Sequence, residues 1–97
     1  MRARAPLRLL DPPEPARVER AAPPGRDPLD VPPAVVWWRE RRLVVAHAHG
    51  PERLSGDWWE DAFRRDYWRC RTEAGELLVF LDRAAVQPGW YVQGWYD

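Results

Sequence analysis

With 97 residues the chain holds one domain at most, and most of its 11 prolines lie at or before Pro33, so the ordered part is expected to number only about 60 to 65 residues. Fifteen basic residues, all arginine, balance fifteen acidic ones; this excludes a global field toward nucleic acid or an anionic membrane and leaves only local charge to attract either. Cys70 stands alone, which rules out an internal disulfide and a cysteine-based zinc site, and no apolar run reaches the length of a signal or a membrane span, so the chain reads as cytoplasmic with no membrane partner.

Residues 1 to about 33 are expected to be a leader or linker. Pro12-Pro13, Pro23-Pro24 and Pro32-Pro33 recur between charged residues, and proline fixes φ and removes amide donors, so this stretch should be extended or polyproline-like with little regular structure. Within it, Pro6 to Leu10 has the apolar content to dock on another surface. From Ala34 the chain changes to short runs of β-branched and aromatic residues punctuated by turn signals, the mark of strands. Ala34 to Arg39 and Leu43 to His47 are expected to pair around Glu40-Arg41-Arg42, a turn without glycine or asparagine. After Gly50-Pro51, Glu52 to Leu54 reads as a short strand, and Trp58 to Phe63 as an ordered loop, because no apolar period is long enough for a helix.

The strongest local signal is a hairpin of Arg65 to Thr72 and Glu76 to Asp82 around Glu73-Ala74-Gly75. A positive φ at Gly75 suits a type I turn with a G1 bulge and sets Cys70 opposite Leu78 and Trp68 opposite Phe80, all four on one buried face. Tyr67, Arg69 and Arg71 then share the other face with Leu77, Val79 and Leu81. Trp90 to Tyr96 supplies the last strand. The expected architecture is mainly β: a small antiparallel meander or partly open barrel of about five strands spanning residues 34–97.

Chemistry-bearing residues are sparse. Asp57, Glu60 and Asp61 lack a nucleophile or second acidic cluster and read as turn residues, while His47 and His49 lack a third ligand and read as a strand end. Cys70, alternating with Trp68, reads as a small apolar core group. No glycine-rich phosphate loop is present. Neither enzyme activity, nor a metal, nor a cofactor is expected. The informative grouping is aromatic and basic together, Trp58, Trp59, Phe63, Arg64, Arg65, Tyr67 and Trp68. Neighbouring residues of an extended chain point to opposite faces, so at least part of this set points outward. Tryptophan, tyrosine and arginine are the residues most enriched at protein-interface hot spots, and aromatics with arginines also make single-strand platforms. Trp58, Trp59, Arg64, Arg65, Tyr67 and Trp95 are therefore the expected partner-binding residues, with protein contact as the first reading and single-stranded DNA as the alternative.

Several blocks in succession carry a family resemblance: Pro6 to Pro15, Val36-Trp37-Trp38, Gly50-Pro51-Glu52-Arg53-Leu54, Trp58-Trp59, Arg65-Asp66-Tyr67-Trp68, Leu78 to Arg83, and Trp90 to Trp95. In this order they resemble the C-terminal region of ImuB, a Y-family DNA polymerase homologue of bacterial mutagenic translesion synthesis. The resemblance implies a non-catalytic scaffold that contacts an ImuA-like RecA-related protein and a DnaE-type error-prone polymerase. DNA and a sliding clamp stand as further partners, the clamp through Pro6 to Leu10. The family's polymerase palm, fingers and metal-binding carboxylates lie upstream of the resembling region. A start at Met1 just before the leader fits a split gene, a truncated reading frame or a stand-alone copy. Two departures are Glu40-Arg41, where glycine is expected in the first turn, and an apolar loop after Arg83.

Overall fold

A computed structural model describes residues 6–20, 30–58, 61–84 and 89–96, with the backbone alone described for 54–58 and 61–63. Among them are seven strands, β1 (Leu7–Arg20), β2 (Pro33–Trp38), β3 (Arg41–Val44), β4 (His47–Trp58), β5 (Asp61–Thr72), β6 (Gly75–Asp82) and β7 (Gly89–Tyr96). They form one antiparallel sheet in the order β3-β2-β1-β7-β6-β5-β4. The sheet is an open, curled half-barrel. Its two edge strands, β3 and β4, are joined by Val45 and Ala46 alone, and the three Cα–Cα steps from Val44 to His47 span at most about 11 Å, so the edges must approach each other there. Ala46 N–H donates to the Arg71 carbonyl at 2.8 Å and Val45 N–H to that of Ala34 at 2.9 Å, which pins this corner.

The mainly β class is as expected, but with seven strands rather than about five. The first difference lies in the leader. Leu7–Arg20 is extended, yet it is a regular strand within the sheet, pairing with β7 through Leu7 to Ala16 and with β2 through Arg17 to Arg20. Pro12 and Pro13 are tolerated because the β7 ladder breaks between Leu9 and Glu14, where the register shifts, whereas Pro15 lies within the ladder opposite Tyr91. The second lies at β4 and β5, which continue as a hairpin out to Trp58 opposite Asp61 instead of opening into a loop. The third is the β2–β3 turn, which is Arg39-Glu40, with Trp38 opposite Arg41; His47 belongs to β4.

The β5–β6 hairpin forms where expected, with Gly75 at φ 105°, but its register is one residue away. Thr72 pairs with Gly75 itself, so Cys70 lies opposite Leu77 and Trp68 opposite Val79. The interior face therefore carries Trp68, Cys70, Leu77 and Val79 with Val92 of β7. Val36 and Leu43 of the curled-over β2–β3 hairpin close it into one core. Phe80 and Leu78, expected inside, lie on the outer face with Tyr67 and Arg69, while Leu77, Val79 and Leu81 point inward. Burying that much apolar area on a small sheet is what allows a chain this short to hold a core. Burial also pushes the Cys70 thiol up to about 12, with Glu76 adding to the shift, so at neutral pH it is an un-ionised packing group, as expected.

Candidate interaction surfaces

The blocks that carry the family resemblance converge on one buried carboxylate. Asp66, 1% exposed, lies opposite Arg53 in the β4–β5 register. Arg53 Nε stands 3.6 Å from its Oδ1, and Arg83 Nε donates to Oδ1 at 3.2 Å. Arg83 Nε is also 3.1 Å from Oδ2, but only the approach to Oδ1 has hydrogen-bond geometry, so Oδ2 is held by charge alone. Arg53 extends the chain of charges to Asp30. Gly50 permits this packing: its φ is 147°, and a Cβ there would lie 2.6 Å from the Tyr67 carbonyl oxygen. A buried carboxylate without its arginines is costly, so Gly50, Arg53, Asp66 and Arg83 make a structural tie between β4, β5 and the end of β6.

Around that tie the sheet presents two different surfaces. On the outer face, β5, β6 and β7 place Tyr67, Phe80 and Tyr91 side by side, with ring centroids 5.1 and 5.3 Å apart. The Arg65 guanidinium lies 4.6 Å from the Phe80 ring centroid and donates to the Tyr67 hydroxyl at 3.2 Å. Phe80 is buried beneath these neighbours, and Gln93 links the patch to β1 by donating to the Leu10 carbonyl. Toward the β3–β4 corner the same face carries His47, His49, Arg69 and Arg71.

The second surface opens on the inner side, between the β2–β3 hairpin and the β5–β6 turn. Trp38 and Trp95, centroids 6.1 Å apart, wall a cleft of about 250 Å³ floored by Leu43 and Leu77 and rimmed by Arg39 and Arg41. Arg39 sits 4.4 Å from the Trp38 ring and 5.7 Å from the Trp95 ring. Glu14 of β1 fixes it by accepting from Arg39 Nε and Nη2, each at 2.9 Å, and from Trp38 Nε1 at 2.9 Å. Hydrogen bonding to Arg39 holds the Glu14 carboxyl below its ordinary value, against a partial opposing effect of desolvation. Arg39 and Glu40 adopt positive φ, 52° and 61°, although neither is glycine. Left-handed backbone at such residues is strained and persists only where surrounding contacts impose it.

The expected partner-binding residues do not form one site. Arg65 and Tyr67 meet on the outer face, where they hold each other; Trp95 faces the inner cleft; Arg64 is exposed near the far end of β5. Trp58 ends β4, but its side chain, like all of Trp59, lies outside the described residues. Trp68 is 3% exposed and belongs to the core. Sequence reasoning missed Glu14, Trp38 and Arg39. The signal was the Trp37-Trp38 pair, whose members must face opposite ways on a strand. Trp37 stands outside, opposite Arg17 and Arg42, whose guanidinium groups lie 4.2 and 5.9 Å from its ring.

No group of three or more metal-ligating side chains occurs among the described residues, nor a helix long and apolar enough to cross a membrane. No protein-family model and no solved structure matches the chain. Two curated proteins do, both named protein ImuB, from Caulobacter vibrioides strains NA1000 / CB15N and ATCC 19089 / CIP 103742 / CB 15. Each is 31% identical over 78 residues, a match that covers 67% of this chain and 17% of the relative's length. By sequence, then, the chain is related to a small part of ImuB.

Proposed function

We propose that this chain is a non-catalytic protein-interaction module of a bacterial translesion DNA-synthesis assembly, working with an ImuA-like RecA-related protein and a DnaE-type error-prone polymerase. The relationship to part of ImuB supports the setting. The observation that carries the interaction is the cleft between Trp38 and Trp95: two half-buried indoles, an apolar floor and an arginine rim have the composition of a hot spot. An apolar anchor side chain of the partner fits the cleft against the two rings and the Leu43–Leu77 floor, with an acidic neighbour reaching Arg39 or Arg41. Neutral overall charge agrees with contacts made through such local chemistry rather than through a general field.

The test is capture of purified ImuA-like and DnaE-type proteins on the immobilised chain. At least one is expected to bind, with the binding weakened tenfold or more by Trp95→Ala and largely restored by Trp95→Phe. Capture of neither partner, or capture indifferent to Trp95, would overturn the reading.

A further inference from the structure

The outer face near the β3–β4 corner has a composition that the Trp95 cleft does not share. Register sets His47 opposite Arg71, and His49 opposite Arg69 two residues further along β4. All four are exposed, and with Glu76 they line a cleft of about 330 Å³. Within this cleft Arg69 and Glu76 hold each other at 2.7 Å. Arg71 has no ion-pair partner among the described residues. The His47 and His49 rings meet edge to face at 4.2 Å, so both imidazoles are held beside the arginines. A second cleft of about 360 Å³ shares His49 and Arg69 with the first and is lined further by Pro51, Tyr67, Leu78, Tyr96 and the exposed carboxylate of Glu52.

We infer that this face binds single-stranded nucleic acid, with neighbouring phosphates at the His47–Arg71 and His49–Arg69 pairs and a base in the adjoining aromatic cleft. Residues two apart on a strand repeat every ~6.6 Å, close to the spacing of phosphates along an extended single strand. An isolated inorganic anion needs only one such pair. An acidic peptide needs no flat aromatic slot beside the cations, whereas a base does, and an open sheet carrying aromatics and arginines is a common form of single-strand platform. This site lies on the opposite side of the sheet from Trp38 and Trp95 and stands or falls independently of the protein-contact reading.

The experiment is fluorescence anisotropy of a labelled oligothymidylate titrated with the full 97-residue chain. Two phosphate contacts at about 0.7 each predict a salt slope of about −1.4, so affinity should fall roughly sevenfold between about 50 and 200 mM salt. Arg71→Ala is expected to weaken binding several-fold and to reduce the slope by about 0.7. The double substitution His47→Ala with His49→Ala should also weaken binding, and Arg41→Ala, at the inner cleft, should leave it unchanged. A poly-glutamate peptide should fail to displace the oligonucleotide. Absence of binding at low salt, an unaltered affinity in both the Arg71 and the histidine variants, or displacement by the peptide as effective as by unlabelled oligonucleotide would overturn the inference.

Discussion

The β5–β6 and β2–β3 hairpins are both tight, but they are specified in different ways. The first turns through Glu73 and Ala74 and places Gly75 at φ 105°, a conformation open to glycine, and Thr72 accepts the Ala74 amide in the turn at 3.1 Å. Everything it needs is local. The second turns through Arg39 and Glu40, both at positive φ, and its stabilising contacts come from elsewhere in the chain: Glu14 on β1, and Trp95 on β7. A local turn is legible in a sequence, whereas one imposed by distant contacts is not, and in this molecule the imposed turn builds the inner cleft.

Substitutions separate the two cases. The largest effect is expected in the locally specified hairpin, where Trp68→Ala removes the most deeply buried indole among the described residues and should cost about 3 to 5 kcal/mol in chemical denaturation. Trp37→Ala, on the half-exposed outer side of β2, should cost much less; equal losses would mean that the core is not where the burial places it. Next comes the turn glycine. Gly75→Ala meets no atom within 4 Å, so its cost of about 1 to 2 kcal/mol should be purely conformational. Glu40→Gly should act in the opposite direction, raising the unfolding free energy by up to about 1 kcal/mol through relief of backbone strain. A destabilising Glu40→Gly would show that the turn is not strained.

The smallest effect is a pH dependence. The Glu14 carboxyl titrates lower in the folded chain than its ordinary 4.5, chiefly because Arg39 donates to it. Its contribution is therefore present in full above that ordinary value and is lost as pH falls through the lower folded one. Comparison of the chain with Glu14→Gln should show an advantage near neutral pH that disappears in acid, as pH falls through the lowered folded value. An advantage that persisted in acid would mean that the carboxylate is not what holds Arg39.

The same distinction explains what the sequence made visible. Alternation and Gly75 were enough to place β5, β6 and β7, but counting Gly75 in the loop shifted the expected register by one, which exchanged Leu77 and Val79 for Leu78 and Phe80 on the inner face. The prolines of β1 hid a strand, because their signal is read locally and the ladder irregularity that accommodates them exists only in the presence of β7. Trp58 to Phe63 reads as an ordered loop, although Trp58 pairs with Asp61, and Gly56 and Asp57 pair with Phe63 and Ala62, in a continuing hairpin. Of the expected contact residues, Trp95 lines the inner cleft, and Arg65 meets Tyr67 on the outer face. Their separation onto two sides of the sheet, and the part played by Glu14, depend on pairings between residues dozens of positions apart.

Strand β1 bears most of this construction, since it links β2 to β7 and supplies Glu14 beneath the inner cleft. Native-state hydrogen exchange across β1 and β6 tests that directly. Amides bonded in the β1–β2 and β1–β7 ladders should be protected to an extent comparable with those of β6 and should be lost with them in one cooperative unfolding step. Exchange of the β1 amides at solvent-like rates while β6 stays protected would contradict the account.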